Sequence, residues 1–401
     1  MTEQQHAAFL DIAAEGFRMD SPDMRLARAR SWYARTNWGI AVLSYADNAA
    51  LMKDPRLKQG SSRWPDHHGV VSGPYVEWWQ RTLIVLEGMD HHRIRRLVNP
   101  AFSRRQIEPL YPAFASIAEE LAQAFTVSGE AEFVMDFAAP YSTRVLCLML
   151  GLPEEEWARL YRLSSVIGLG IGVEVRDSIS EIDAATRELT LFAEELVATR
   201  RSDPGQDVVS TLVGIRDEDD GRLSDDELVN LVILLVFAGI DTTRNQLTLA
   251  IDSFSREPAQ WEKLGSDPDR YAMRAVEEVL RVNPIARWVT REAAEDLVHN
   301  GLLIERGTTV HMFTLSSGTD PAEYSDPDAI DLDAERSPHF AFGGGVHHCL
   351  GHFVARADLD VALSVLSRKI KDISPAPGAE WLPDSGNTGA ERFPITFAAR
   401  A

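Results

Sequence analysis

One short stretch near the C-terminus concentrates residues that could do chemistry. Within "AFGGGVHHCLGHF", from Ala341 to Phe353, lie three consecutive glycines, three histidines and one of the chain's two cysteines. Thiolate and imidazole bind zinc, but no second CxxC or HxxxH pair elsewhere completes a tetrahedral set. A nucleophilic cysteine would need a base, for which His347 or His348 could serve. A purely structural loop is a third alternative.

In a further interpretation, Cys349 is a thiolate that binds the metal of a flat cofactor, and this accounts for more features of the loop than the other three do. Glycines at 343, 344 and 345 would let the backbone approach a planar ring without Cβ clashes. They would also leave backbone N–H groups free to donate to the sulfur. The following "LGHFVARADLDVALSVL" predicts a helix, with Leu350, Phe353, Ala357 and Val361 on one face. Cys349 then lies at a helix N-terminus, where the dipole favours the thiolate.

The stretch "FGGGVHHCLG" resembles the haem-binding loop FGxGxHxCxG of the cytochromes P450 and matches every fixed position. The resemblance extends over essentially the whole chain. It implies a mainly α fold with a minor β portion, formed as a single domain over residues 1–401. It also implies haem b (iron protoporphyrin IX), with Cys349 as the axial ligand of the iron. By the same resemblance, Phe342, Gly343, His347 and Gly351 contact the cofactor.

The segment "AGIDTT", residues 238–243, lies inside a long predicted helix and interrupts its apolar pattern. It resembles the oxygen-binding groove of the family, with an acid–alcohol pair at Asp241 and Thr242. Such a pair could relay protons to dioxygen, so that the O–O bond breaks heterolytically. The alternative is a helix kink, in which threonine hydroxyls donate back to backbone carbonyls.

A second supporting motif is "EEVLR", in which Glu278 and Arg281 are three residues apart on one helix face. Taken alone it is weak, because such pairs are common on exposed helices. The family resemblance implies instead a buried pair that a later arginine, Arg336, joins. Its role would be structural, bracing the loop that carries the cysteine.

A third motif, "MDHHRIRRLVNPAFS", resembles the family's helix that binds haem propionates. His91 and Arg95 match the two binding positions, one helical turn apart. The shifted pair His92 and Arg96 is the alternative register, and a merely solvated arginine-rich face is the other alternative. Arg291 and His347 match further propionate positions of the family. Basic groups of this kind are what a buried dianionic cofactor requires.

The resemblance also implies a substrate pocket built from several segments. Trp64, Trp78, Trp79 and Trp288 fall in these segments, and an aromatic wall suits a flat or cyclic apolar substrate. These tryptophans could equally pack the core. Arg287 could pair with a substrate carboxylate or a haem propionate, or reach solvent. The pocket candidates are Val85, Val236, Ala238, Gly239, Ala286, Arg287, Trp288 and Thr388.

Helices must position most of these residues. The longest begins at the capping box Ser224–Glu227 and is expected to run to Arg256, about 48 Å at 1.5 Å per residue. "RRQIEPLYPAFASIAEELAQAF" and "ATRELTLFAEELVATRR" also show helical spacing. Strand patterns are fewer: "WGIAVLSY", a hairpin turning at Asn300-Gly301 with a further strand after it, and "FPITFAA".

Composition limits the class of protein. With 401 residues, 45% of them hydrophobic, the chain can bury a sizeable core, and a formal charge of -21 argues against a nucleic-acid binder. No signal peptide is visible, and the most apolar run, Leu228 to Ile240, is shorter than the roughly 20 residues that span a bilayer. We therefore expect a cytoplasmic protein, with Cys147 as a buried, inert thiol.

The resemblance implies a haem-dependent monooxygenase that inserts one oxygen atom from O2 into a small cyclic or aromatic substrate. By the same resemblance, electrons would come from separate partners, a ferredoxin and a ferredoxin reductase. We expect docking on the cysteine side, with Arg93, Arg96, Arg104 and Arg105 as candidate contacts. Two alternatives are a haem-thiolate enzyme of the same fold that performs coupling, cyclisation or another non-hydroxylating reaction, and a haem sensor or carrier without turnover.

Overall fold

A computed structural model describes residues 7–14, 16–217 and 223–400. Along these ranges the α-helices are Pro22–Arg30 (α1), Tyr45–Leu51 (α2), Trp64–His67 (α3), Pro74–Trp79 (α4), Gly88–Val98 (α5), Arg104–Ile107 (α6), Tyr111–Thr126 (α7), Ala139–Leu150 (α8), Trp157–Gly168 (α9), Val175–Ser202 (α10), Val208–Asp217 (α11), Asp225–Ser255 (α12), Pro258–Ser266 (α13), Pro268–Val282 (α14), Thr314–Gly318 (α15) and His352–Lys369 (α16). The fold is mainly α, as predicted.

The strands form a minor portion of the molecule. They are Phe9–Leu10 (β1), Tyr33–Thr36 (β2), Gly39–Val42 (β3), Leu57–Gln59 (β4), Glu130–Glu132 (β5), Trp288–Ala293 (β6), Leu297–His299 (β7), Leu302–Ile304 (β8), Thr309–Phe313 (β9), Ile370–Pro375 (β10), Glu380–Trp381 (β11), Ala390–Arg392 (β12) and Pro394–Ala399 (β13). Among the described residues, the largest sheet has the order β1-β2-β3-β9-β6-β4, and a second has the order β10-β13-β5.

Local turn chemistry explains the predicted hairpin. β7 and β8 pair antiparallel around Asn300 and Gly301, whose φ angles of 42° and 81° are those that an Asn-Gly hairpin turn requires. The strand predicted after it is β9, and "FPITFAA" forms β13. These predictions are therefore confirmed. The predicted helix over "RRQIEPLYPAFASIAEELAQAF" is instead divided into α6, a 3-10 turn and α7, because Pro109 and Pro112 lack the N–H that a continuous helix needs.

The long predicted helix is α12, and it is continuous. The capping box at Ser224 and Glu227 is present, and the 31 residues span about 46 Å. "AGIDTT" interrupts the apolar pattern without ending the helix. The Thr242 hydroxyl donates back to the carbonyl of Ala238 at 2.5 Å, which is the hydrogen bond that the alternative interpretation of this segment described. Gly239 serves close packing, since a Cβ there would lie 2.9 Å from the side chain of Leu146 on α8.

α12 joins the two largest hydrophobic clusters. Its N-terminal half packs among α4, α8, α9 and α10, and its C-terminal half packs among α7, α8, α14 and α16. Cys147 is buried beside the first half, and burial raises the pKa of its thiol to about 12, as expected for an inert cysteine. In the described ranges no helix is long and apolar enough to cross a membrane.

A buried ion-pair network ties α14 to the segment that precedes the cysteine loop. Arg281 donates to both carboxylate oxygens of Glu278, at 2.8 and 2.9 Å, and to the carbonyls of Gly318 and Ala329 at 2.9 and 2.7 Å. Arg336 donates to the same carboxylate at 3.4 Å. The structure thus brings together the three residues predicted to brace the cysteine loop.

Removing the carboxylate from this network should destabilise the fold. We expect Glu278→Gln to cost roughly 3–5 kcal/mol, because Arg281 would be left as a buried, unpaired charge. The matched control is Glu108→Gln in the exposed pair Arg104–Glu108, which should cost less than about 1 kcal/mol. Urea unfolding of the holoprotein measures both changes. Equal losses would contradict the assigned role.

Candidate active site around Cys349

A cavity of about 400 Å³ lies between α12 and the cysteine loop. Its wall includes Ala238, Gly239 and Thr242 of α12 on one side and Phe342, Gly343, Cys349 and Gly351 on the other. The predicted loop residues and the predicted helix groove therefore face the same space. That space is the candidate active site.

The three glycines of the loop have different structural roles. Gly343 lines the cavity with a left-handed φ of 66°, and its N–H donates to the carbonyl of Phe340 at 2.8 Å. Gly344 and Gly345 face Met52 instead, and a Cβ at Gly345 would lie 2.8 Å from the Met52 carbonyl oxygen. The expectation that all three glycines approach a planar ring is thus wrong for two of them, which allow a close backbone contact.

Cys349 presents its side chain to the cavity just before α16, whose N-cap is Gly351. Its backbone N–H donates to the Phe342 carbonyl at 2.9 Å, which closes the loop. Burial raises the pKa of the thiol, while the Gly351 N–H and the charges of Arg95 and Arg356 act in the opposite direction. A metal at the sulfur would complete the deprotonation that these groups favour.

The face predicted for α16 is only partly buried. Ala357 and Val361 are in the core, but the Phe353 side chain is 39% exposed. The helix packs against α7 and α14 with the residues that follow Phe353. Phe353 therefore lies on the outer surface near Cys349.

Two arginines line the cavity, and among the described residues neither has a carboxylate hydrogen-bond partner. Arg291, on β6, is 4% exposed and donates to the carbonyls of Thr290 and Gly344, at 3.0 and 3.3 Å. Arg95, on α5, is half-buried. Arg95 donates to the His348 carbonyl and to the Asn99 side chain. Burial lowers the pKa of each guanidinium. A buried cation left in this state calls for an anion in the cavity.

Two histidines lie beside these arginines. His347 lines the cavity and its Nε2 lies 2.9 Å from a Glu87 carboxylate oxygen. His91 does not line the cavity, but its ring centroid is 4.2 Å from that of His347. His91 is 2% exposed, and neither ring nitrogen has a hydrogen-bond partner among the described residues. Arg95, Arg291, His91 and His347 fit a planar dianionic cofactor whose metal binds the Cys349 thiolate. Both arginines and His91 can still donate hydrogen bonds to an anion beside the cysteine.

The geometry also shows which of the two histidine–arginine pairs of α5 faces the cavity. His91 is buried and Arg95 lines the cavity, whereas His92 and Arg96 are exposed. The shifted pair is therefore not the one that meets the cavity. No group of three or more potential metal-ligating side chains occurs in the part of the chain that the structure describes, so nothing there supports a zinc site.

The predicted acid and alcohol are placed differently from each other. Thr242 lines the cavity, but Asp241 does not. The Asp241 carboxylate is 1% exposed and accepts hydrogen bonds from Arg244 at 2.7 Å and from the Asn387 amide. The structure therefore does not bring these two side chains together in one hydrogen bond.

Half of the predicted pocket residues line the cavity, and all of those that do not are buried elsewhere. Ala238, Gly239, Ala286 and Trp288 line it, together with Trp64 and Trp79. Val85 and Val236 were wrong by one position, because neighbouring residues on a helix or turn face different sides; Ile84 and Leu235 line the cavity instead. Trp78 packs in the core, as its alternative allowed.

The remaining two predictions failed because of contacts distant in sequence. Arg287 is 3% exposed and forms an ion pair with Asp384 at 3.1 Å, with a further hydrogen bond to Asn283 at 2.7 Å. Arg287 therefore does not line the cavity, where a substrate or a propionate would lie, and it is not exposed to solvent. Thr388 turns its hydroxyl to the backbone N–H of Ser385 at 2.9 Å. Its neighbour Gly386 lines the cavity in its place.

Sequence reasoning missed an acid in the cavity wall. Asp358, on α16, lines the cavity and is 2% exposed, yet its Oδ1 has no hydrogen-bond partner among the described residues. Burial raises the pKa of this carboxyl well above its usual range. Its place in the helix after Cys349 was visible in the sequence, but no spacing signal distinguishes it from Asp360, the other acid of that helix.

Known proteins are similar to this chain over most of its length. The family model described as Cytochrome P450 matches residues 175–369. Over 394 residues the chain is 35% identical to luteothin monooxygenase of Streptomyces thioluteus, covering 98% of this chain and 96% of that protein. The solved structure of CalO2 is 27% identical, with a TM-score of 0.89, and the match covers 98% and 99% of the two chains. The cytochrome P450 enzyme CxnD, described as acting in C–S bond formation, is 28% identical with a TM-score of 0.81 over 95% and 96%.

Replacing the buried acid should change how stability depends on pH. A carboxyl with a raised folded-state pKa destabilises the fold increasingly as the pH rises above the unfolded value of about 3.9. We expect Asp358→Asn to be more stable than the wild type, with a difference that grows by up to about 1.4 kcal/mol per pH unit. Urea unfolding from pH 4 to pH 8 measures it.

The control is Asp360→Asn on the same helix. Burial and the Asp269 charge raise the pKa of Asp360 to about 6, so the difference from wild type should stop growing near pH 6. For Asp358→Asn it should continue to grow beyond that pH. A difference that does not depend on pH would show that Asp358 is ionised in the folded protein.

Proposed function

The chain belongs to the cytochrome P450 family of haem-dependent oxidoreductases, and we propose that it inserts one atom of O2 into a small, neutral, cyclic or aromatic substrate. The observation that carries the proposal is the cavity with Cys349 in one wall and Arg95 and Arg291 at its side, neither with a carboxylate hydrogen-bond partner among the residues that the structure describes. In this proposal residues 1–401 act as one domain.

The proposed cofactor is haem b, which when bound supplies the reductive activation of dioxygen. Cys349 would hold it as a thiolate, with Gly351 donating its N–H to the sulfur. Arg95 and Arg291 would bind the propionates, and His347 and His91 would complete the anion site. Support comes from the basic groups that have no carboxylate partners and from the family membership.

The substrate wall favours a neutral ligand. Trp64 and Trp79 line the cavity, and their indole N–H groups already donate to the carbonyls of Gly172 and Ser61, at 3.1 and 2.9 Å. They therefore offer aromatic surface to a ligand and no hydrogen-bond donor. Arg287, the one cation predicted for a substrate carboxylate, is neutralised by Asp384. A flat or cyclic apolar substrate fits such a wall.

Proton delivery is proposed for Asp241 and Thr242. Thr242 lines the cavity, and its hydroxyl hydrogen is directed to the Ala238 carbonyl, which leaves the oxygen lone pairs able to accept a hydrogen bond from water. Asp241, the preceding residue, is the nearest acid along the helix. The two would act in sequence, with the acid supplying the proton and the alcohol orienting the water that carries it.

Electrons are proposed to come from a ferredoxin and its reductase in the cytoplasm. Of the four arginines expected to contact them, Arg96, Arg104 and Arg105 are exposed. Arg104 pairs with Glu108, and Arg93 pairs with Glu227 at 2.6 Å. The exposed cations would attract an acidic partner to the cysteine side despite the negative net charge.

A second candidate function is oxidative coupling or cyclisation at the same haem-thiolate. The likeness to CxnD supports it, because that enzyme is described as acting in C–S bond formation. The same cavity, cofactor site and electron supply would serve either reaction. Product analysis distinguishes them, since hydroxylation adds one oxygen atom and coupling removes two hydrogen atoms. The enzyme relatives argue against a carrier without turnover.

The cysteine prediction is tested by absorption spectroscopy. The dithionite-reduced protein with carbon monoxide should show the strongly red-shifted Soret band of thiolate-ligated haem, and Cys349→Ala should lose it. The control is Cys147→Ala, which removes the buried thiol of α8 and should leave the band in place. A carbonyl spectrum typical of histidine ligation in the native protein would contradict the proposal.

Thr242→Ala should uncouple the reaction. With a substrate identified by spectral titration, we expect the rate of product formation to fall on the order of 100-fold, while peroxide release rises. Thr242→Ser keeps the hydroxyl and should keep most of the product. Unchanged coupling in Thr242→Ala would remove this residue from proton delivery.

A further inference from the structure

A second cavity, of about 300 Å³, lies behind one wall of the candidate active site and is here called the outer cavity. It is bounded by the N-terminal segment around α1, the C-terminal end of α12 and the chain around Trp381. Arg18, Arg25 and Arg256 line it and are exposed, so it opens to solvent. The outer cavity is therefore a charged space next to a largely apolar one.

Two stretches of chain, residues 285–288 and 384–388, separate the two cavities and are here called the first and second wall segments. In the first, Arg287 lines the outer cavity while the residues on either side of it line the active-site cavity. In the second, Gly386 lines the active-site cavity and Thr388 lines the outer one. The partition is thus a single layer of chain, and a gap between the segments would join the cavities.

The buried ion pair Arg287–Asp384 joins the two wall segments. The Arg287 Nε donates to an Asp384 carboxylate oxygen at 3.1 Å, and the two side chains are 3% and 1% exposed. Two backbone hydrogen bonds of 3.0 Å lie beside it: the Arg287 N–H donates to the Ser385 carbonyl, and the Thr388 N–H donates to the Ile285 carbonyl. Separating the segments would leave two charges buried without partners, which is costly.

Both segments are also fixed at their other sides. Gln246 of α12 donates to the Asn283 carbonyl at 3.0 Å and accepts from the Ile285 N–H at 2.9 Å. The second oxygen of the Asp384 carboxylate accepts from the Met19 N–H at 2.7 Å. The ion pair therefore connects a segment held by α12 to one held by the N-terminal chain.

We propose that the Arg287–Asp384 pair limits the length of substrate that the active-site cavity accepts, because it keeps the two wall segments closed toward the outer cavity. Both are positioning residues, since neither lines the active-site cavity. The inference rests on the proposed function and narrows its substrate class to compact molecules that end at these segments. A longer substrate would have to part the segments and break the buried pair.

The test measures binding of a length series of ligands to the substrate-free holoenzyme. The probes are N-(ω-hydroxyalkyl)imidazoles, from hydroxybutyl to hydroxydodecyl, whose binding shifts the haem absorption spectrum. Their chains suit the apolar cavity, and their neutral hydroxyl ends suit the charged outer one. In the wild type, affinity should rise with chain length and then fall once the chain exceeds the cavity.

The double variant Arg287→Ala/Asp384→Asn should move this length limit to longer chains. It removes both charges together, so that neither is left buried without a partner. We expect unchanged affinity for the shortest probe and a gain of about tenfold for every two further methylene groups that become buried. In hydrogen exchange, the backbone N–H groups of residues 287 and 388 should exchange faster than in the wild type.

The matched control is Arg200→Ala/Asp207→Asn. This ion pair of 2.9 Å has side chains that are 15% and 5% exposed, and neither residue lines either cavity. It should keep the wild-type length limit. If the Arg287 double variant fails to fold, Arg287→Gln should show the same shift, because Arg18, 4.0 Å from the Asp384 carboxylate, still balances its charge.

Two outcomes would overturn the inference. An unchanged length limit in the double variant would show that the pair does not close the cavity, and an equal loss of affinity at every chain length would show that it only stabilises the fold. Failure of the proposed function looks different. The wild type would then lack the red-shifted carbonyl band and its spectrum would respond to none of the imidazoles, while hydrogen exchange would still report whether the pair joins the segments.

Discussion

Charge neutralisation around one cavity is the constraint on which the rest of the structure depends. Arg291 is almost fully buried, and none of the described residues gives it a carboxylate hydrogen-bond partner. Arg95 is half-buried and also lacks such a partner among them, while His347 has Glu87. An unpaired buried cation costs several kcal/mol, so the fold is complete only with an anion in place. In the proposed function that anion would be the cofactor, and Arg95 and Arg291, which would bind its carboxylates, line the same cavity as Cys349.

α12 reconciles two opposing requirements at this cavity. Its residues before Gly239 and after Asn245 pack apolar clusters on both sides of the molecule, which a long buried helix needs. The intervening turn carries polar groups that would destabilise a core if unpaired. The Thr242 hydroxyl is hydrogen-bonded within the helix. The Asp241 carboxylate accepts hydrogen bonds from residues of α9 and of the C-terminal segment. The helix is continuous through this turn, and the Thr242 hydroxyl and the Asp241 carboxylate both have partners.

Local motifs predicted the catalytic half of the site, and long-range contacts decided the rest. The cysteine loop, the α5 register and the Glu278–Arg281 pair depend on spacing within one loop or helix, and their positions followed from the sequence. Val236 failed because one step along a helix turns a side chain by about 100°, and Val85 failed because it lies in a turn whose neighbouring residue Ile84 faces the cavity. Arg287 failed because its partner Asp384 lies 97 residues away. No pattern around either residue predicts that meeting.

The same division explains why the reaction class is clearer than the substrate. Dioxygen chemistry needs a thiolate, anion-binding groups and a proton donor, and each of these has a characteristic residue type. The substrate wall is characterised instead by what it lacks, since its indole N–H groups are already bonded to backbone and its nearest predicted cation is paired. A sequence displays a charged side chain but not the partner that neutralises it. The polarity of this wall is therefore a property of tertiary pairing, which the sequence alone does not display.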